Sequence, residues 1–422
     1  MQSYSLPYGN TQITINIPAS FSVDALLPES YPPLDDPIGA IETTLDNPIG
    51  EKHLSDYANS PSVGIAINDK TRPLPKPDPL IPLLKKLAQI GIPPGAVTLY
   101  VASGTHQPIT RDVLPVILDP AIIEQYRVVV HDCDHSSLTS LGQTAFGTPI
   151  QINTDFYRSD LKISLGNIEP HHFMGYSGGV KTAVIGLAGR ETINTNHAML
   201  VHPQAVSGKY YLNPMRQDIE EIGKKVRVGF SLGCILNEEK QPLEVFFGDP
   251  ALIMRSAIPV VMDIFGVPAP HQYDLVLASP GGAPKDINLY QSQKGLTQAA
   301  KITKDGGWVI LLAACPEGSG STAYENYVTQ VESHQAIIEQ FQQGYFKIGP
   351  HKAFQIARAA ERINIVLVSD IPPVQVKTWK LTPSQPHLID SLIPWLLDQF
   401  PNDARIAILP AANRTMVEVH HG

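Results

Sequence analysis

"LKISLGNIEPHHFMGYSGGVKTAVIGLAGRETINTNHAML", residues 161–200, opens on a short apolar run that breaks at a glycine. It then passes a second, glycine-rich turn and enters segments with helical spacing. A strand, a glycine turn and a helix in that order are the unit from which α/β folds are built. The same order recurs along the chain, with strands expected at 62–67 (SVGIAI), 96–103, 127–132, 274–279, 308–314, 363–369 and 405–411. Helical stretches such as PLLKKLAQIG and SHQAIIEQFQQGYF lie between them. Residues 225–249 alternate instead around a polar NEEKQ turn, which predicts an antiparallel hairpin. After it, GVPAPHQY (266–273) has two prolines and little periodicity, and reads as a linker. The expectation is two α/β domains with a cleft between them, residues 1–269 and 270–422. The first 60 residues are rich in proline and read as a strand-and-loop lead-in without assignable elements.

The composition narrows the partners. A chain of 422 residues, 43% hydrophobic and 17% charged, can bury more than one core. Its net charge of -9 is spread without long like-charge runs, which argues against nucleic acid as the partner. An anionic small substrate would need a local basic pocket. Cys133, Cys234 and Cys315 are few, odd in number and far apart, so neither a disulfide framework nor a cysteine metal cage is expected, and a reducing cytoplasm is the expected compartment. The N-terminus lacks the basic-then-apolar pattern of a secretory leader, and no run of 18 apolar residues occurs, so a soluble, non-membrane protein is expected.

Ligands of open α/β sheets gather beyond the carboxyl ends of the strands, so the loops there hold the candidate chemistry. INDKTRPLP (67–75) offers Asp69 and Arg72, which could equally be a surface ion pair. VASGTHQPIT (101–110) delivers His106. In GYSGGVK, the glycines let backbone N–H groups approach an anion, but the GxxxxGK[ST] spacing of a Walker loop is absent, and a tight turn packing a helix on the sheet is the other reading. His197 in TNHAML could sit at a capped helix start, and no HExxH zinc motif occurs. SPGGAPKDINLYQSQKGLTQAAK (279–301) places Gln291 and Lys294 three apart on one helix face.

Taken together, GTHQPIT, HHFMGYSGGVK followed by NH, DKTRP and YQSQKG closely resemble the ordered motifs of the nickel-dependent lactate racemase family. The resemblance spans most of the chain. It implies a racemase or epimerase of a 2-hydroxy acid. The implied cofactor is a nickel-pincer nucleotide, a pyridinium-3,5-bisthiocarboxylic acid mononucleotide that grips nickel. By the same resemblance, His106 and His171 are the catalytic histidines, Lys181 the cofactor's anchor and His197 the nickel ligand. Arg72, Gln291 and Lys294 fall near the substrate, and Asp69, Ser177, Gly178 and Gly179 near the nucleotide. The first domain would then bind the cofactor, the second would close over the substrate, and cofactor-synthesis proteins would be partners.

Simple acid–base chemistry agrees with that reading. Inversion by deprotonation would create a carbanion beside a carboxylate, which no histidine is basic enough to form, whereas hydride removal gives a planar 2-keto acid that can be reduced on either face. Two histidines are needed because each enantiomer presents its hydroxyl to a different side. This chain has Gln107 and Val180 where the family pattern has basic residues, and His172 is an additional imidazole. A noncatalytic cofactor-binding protein would have no use for both His106 and His171. A phosphate-ester enzyme would need metal-binding carboxylates, for which Glu169 and Glu191 are the near candidates.

Overall fold

The computed structural model describes residues 1–72, 74–401 and 403–419, so Pro73 of the DKTRP motif lies outside the described residues. The chain forms two compact units, residues 30–263 and residues 1–29 with 264–422. Both are mixed α/β.

The 30–263 unit is built on a six-stranded sheet. In spatial order its strands are Pro242–Gly248, Phe230–Leu236, Leu161–Asn167, Val63–Asn68, Val97–Ala102 and Arg127–Val130. All pair in parallel except the first, which forms the expected hairpin with Phe230–Leu236. Every residue of Leu161–Asn167 is buried, as a parallel strand covered on both faces requires. The helix Leu80–Gln89 covers one face through Leu80, Leu83, Leu84 and Leu87, a single stripe at helical spacing. Each of those side chains contributes roughly 1.5–3 kcal/mol by leaving water. The chain enters the sheet at Val63–Asn68, winds outward to Arg127–Val130, then returns to Leu161–Asn167 and winds the other way. The reversal opens a crevice past Asn68 and Asn167, the position where such sheets bind ligands.

The other unit carries a second six-stranded sheet, wholly parallel. Its order is Thr382–Ser384, Asn364–Val368, Thr303–Leu312, Tyr273–Ala278, Arg405–Leu409 and Ser22–Ala25. Its reversal lies between Tyr273–Ala278 and Arg405–Leu409, so the loop after Ala278 emerges there.

The division of the chain differs from the sequence expectation at both ends of its first segment. Ser22–Ala25 completes the C-terminal sheet beside Arg405–Leu409, and the hairpin Gln2–Tyr8 with Thr11–Ile17 buries Leu6, Tyr8, Ile15 and Ile17 in that unit's core. The lead-in is therefore part of the C-terminal unit rather than of a 1–269 domain. The expected linker is not a loop either: Gly266–Ala269 pairs in parallel with Met416–Val419. Pro268 is tolerated there because a two-stranded ribbon leaves one side of each strand without ladder bonds. Among the described residues no helix is long and apolar enough to cross a membrane.

Candidate functional site

The crevice of the 30–263 unit collects most of the singled-out residues. Beyond Asn68, the backbone of Asp69–Arg72 closes a turn in which Arg72 N donates to Asp69 O at 3.1 Å. Asp69 is buried, and its Oδ2 lies 2.7 Å from His106 Nδ1 while Oδ1 accepts from the Thr71 hydroxyl at 2.6 Å. His106 arrives from the next strand on the tight Ser103–His106 turn, and half of its side chain faces solvent. Burial pushes the Asp69 carboxyl up, but the hydrogen bonds from His106 and Thr71 outweigh it and hold the group below its usual value. A carboxylate so depressed stabilises the fold above its unfolded pKa of about 4, and that contribution is lost as pH falls through the folded value. An ionised Asp69 keeps the His106 proton on Nδ1, so Nε2 presents a lone pair outward.

The quoted stretch leaves the neighbouring strand and folds into a two-residue antiparallel pair, Pro170–His171 with Gly175–Tyr176. His171 is buried, and its Nδ1 accepts the Met174 amide at 3.2 Å, which puts its proton on Nε2. His172 stacks on it with centroids 4.7 Å apart, and Phe173 stands edge-on to both. Phe173 also reaches His197, at 5.5 Å between centroids, and so links the histidine pair to the far side of the crevice.

Next comes the Ser177–Gly179 turn. Gly178 and Gly179 have φ of +90° and +62°, and a Cβ at Gly178 would stand 2.7 Å from Ile168 Cγ1. Only glycine meets both conditions. Gly178→Ala is expected to destabilise the protein by roughly 2–4 kcal/mol, and urea unfolding with a loss under about 1 kcal/mol would contradict this packing.

Lys181 follows the turn and is buried, with Nζ 3.4 Å from the Ser177 hydroxyl. Burial, and then the charges of Arg72 and Arg216 against the opposing pull of Glu169, hold its amine well below the ordinary lysine value. His197 lies in the last turn of the helix Arg190–Ala198, not at a helix start. The residue keeps some surface, but its Nδ1 is buried. Burial first, and then Lys181, push its pKa down to about 4, with Arg72 acting in the same direction. The crevice thus disfavours the charged forms of both an amine and an imidazole, which lie within electrostatic reach of each other and of Arg72. Glu191 Oε2 accepts Gln151 Nε2 at 2.9 Å.

The other two candidates belong to the C-terminal unit. Asn288 caps the helix Leu289–Ile302 by accepting the Gln291 amide, which sets Gln291 in its first turn. Lys294 Nζ donates to Gln291 Oε1 at 2.8 Å, so the two do share a face. Sequence reasoning missed their neighbour Lys352, which is buried, donates to Gln293 Oε1 at 3.0 Å and lies 4.7 Å from the Tyr290 ring centroid. Burial and the Lys294 charge hold the Lys352 amine well below the usual lysine range.

Comparison with known proteins agrees on one family. The lactate racemase N-terminal domain matches residues 8–208 and the lactate racemase C-terminal domain residues 269–416. A lactate racemase of Lactiplantibacillus plantarum is 31% identical over 304 residues, 71% of each chain. That of Thermoanaerobacterium thermosaccharolyticum is 27% identical over 425 residues, 97% of this chain and 98% of its own. The structure of the lactate racemase apoprotein from the latter organism superposes with a TM-score of 0.90 at 26% identity, covering 99% of this chain and all of that one. A Thermotoga maritima protein at 15% identity and a TM-score of 0.63 shares the fold.

Proposed function

Because the chain belongs to the lactate racemase family and is an isomerase, we propose that it inverts C2 of lactate or a related 2-hydroxy carboxylate by reversible hydride transfer through a 2-keto acid. The observation that carries this reading is the gathering of the buried Lys181 beside Ser177, the buried His171 and the Asp69–His106 pair at the reversal of one sheet.

Lys181 and His197 fit a nickel-pincer nucleotide. A neutral lysine amine is a nucleophile and can form the link to a thiocarboxyl group, and a neutral imidazole nitrogen is a nickel ligand. Ser177, Gly178 and Gly179 form the turn beside that anchor. When bound, the nucleotide supplies the hydride acceptor and donor that a 2-hydroxy acid requires.

The chain's own residues do the rest. His106, oriented by Asp69, takes the hydroxyl proton at Nε2. The planar carbonyl turns, and His171, as an imidazolium whose Nδ1 has let go of the Met174 amide, returns a proton from Nε2 on the other side, after which proton exchange with solvent resets both imidazoles. The opposite direction exchanges these roles. Asp69, which the resemblance assigns beside the nucleotide, gives its carboxylate to His106 and Thr71 and orients the base. Arg72 offers the substrate carboxylate a bidentate fork. The Asp69–His106 pair also favours an enzyme over a noncatalytic cofactor carrier, which has no need of an oriented base.

The test is the chain produced together with cofactor-synthesis proteins and assayed for interconversion of D- and L-lactate, with longer, aromatic and dicarboxylic 2-hydroxy acids beside it. Interconversion with bound nickel supports the reading, and a nickel-loaded chain inactive on every member of that set overturns it. His197→Ala is expected to lower retained nickel by about 10- to 100-fold, measured by metal analysis. Full retention in that variant would sink the ligand assignment.

A further inference from the structure

A buried ion pair lies directly behind the Ser177–Gly179 turn. Arg216, on the helix Pro214–Val226, is completely buried, and its Nε and Nη2 both donate to Glu220 Oε1, at 2.9 and 2.5 Å. Glu220 Oε1 also accepts the Tyr210 hydroxyl at 3.0 Å, and the Tyr210 ring lies 5.0 Å from the guanidinium carbon. A buried pair of this kind is weak evidence of a stabilising role, since apolar residues of similar size often serve stability as well. Its geometry does something apolar residues cannot. Nη1 donates to Tyr176 O at 3.0 Å and Nη2 to Gly178 O at 3.1 Å, so one rigid fork spans the turn.

The neighbouring contacts extend the same grip. Gly179 O accepts the hydroxyls of Ser164 at 2.7 Å and Ser231 at 3.2 Å. Asn213, which caps the Arg216 helix, donates to Phe173 O at 2.8 Å. Carbonyls on either side of Ser177 and just before Lys181 are therefore fixed from within the protein. Each pinned carbonyl fixes a peptide plane, because the trans amide is rigid.

We propose that Arg216, clamped by Glu220 and Tyr210, is the positioning residue that holds the 176–179 turn so that Ser177 and Lys181 meet the nucleotide. This rests on the reading of Lys181 as the cofactor anchor. Arg216 touches neither substrate nor cofactor and acts through the backbone of the turn.

The experiment measures by intact mass the fraction of chain carrying a cofactor adduct after production with the cofactor-synthesis proteins, alongside thermal unfolding of the cofactor-free chain. Arg216→Met is expected to lower the adduct fraction by about tenfold or more. Arg216→Lys, which can bond one carbonyl but not both, should recover part of it. Ser231→Ala, a gentler change behind the same turn, should lower it less and still measurably. Leu83→Ala serves as the control, since it weakens the core of the same unit without touching the turn. It should keep the wild-type adduct fraction. A folded Arg216→Lys and Ser231→Ala pair with wild-type adduct overturns the proposal, as does a loss in Leu83→Ala as large as in Arg216→Lys, which would reduce the effect to stability. A wild-type chain with neither adduct nor nickel overturns the proposal by a different route, through failure of the anchor reading itself.

Discussion

Lys181→Ala is expected to leave no covalent cofactor adduct and no measurable racemisation, because it removes the amine on which the proposed attachment depends. Arginine at the same position should be equally inactive despite its length, since a guanidinium stays charged and is not a nucleophile at neutral pH. The surroundings are arranged for the neutral amine: burial and the charges of Arg72 and Arg216 all disfavour the ammonium form, with Glu169 opposing. Intact mass on the wild type and both variants, made under the same conditions, checks the point. An adduct of unchanged mass in Lys181→Ala would move the attachment to another residue and dissolve the role given to this turn.

The path from sequence to this site is uneven, and the unevenness has physical causes. Strands such as Val63–Asn68 and Leu161–Asn167 are legible because a parallel strand covered on both faces must be apolar throughout. Ser22–Ala25 is short and half-exposed, and its partner Arg405–Leu409 is nearly four hundred residues away, so no local pattern announces it. The linker reading of 266–273 fails for a related reason. Two prolines suppress the local strand signal, while the pairing with Met416–Val419 is decided at long range.

Site residues divide the same way. Histidines, the paired glycines and Lys181 stand out because their chemistry is unusual in a turn. Arg216 and Glu220 do not: spaced by four on a helix, they look like an exposed ion pair, and only the complete burial of Arg216 reveals the grip on Tyr176 and Gly178. Phe173, inside HHFMGYSGGVK, and Lys352, inside GPHKAF (349–354), do not stand out individually, because a phenylalanine reads as core and a lysine as surface.

His106→Ala and His171→Ala are each expected to lower kcat/KM in both directions by about 100- to 10,000-fold, the range for loss of a positioned acid or base. Both directions suffer because each turnover of the proposed mechanism uses one imidazole to take the hydroxyl proton and the other to return one. The two sites should not respond alike to their neighbours. His106 is half-exposed and depends on Asp69 for its tautomer, so Asp69→Asn should lower kcat with little change in KM for lactate. His171 is buried and oriented by the Met174 amide, which no side-chain substitution removes. The isotope at C2 separates this chemistry from simple deprotonation. With hydride transfer, deuterium at C2 stays largely with the substrate carbon through inversion, whereas a carbanion route exchanges it with water. Mass spectrometry of D-lactate formed from C2-deuterated L-lactate reads the difference directly. Complete washout in one turnover, or near-normal racemisation in either histidine variant, would show that the two imidazoles do not work as the proton pair of a hydride mechanism.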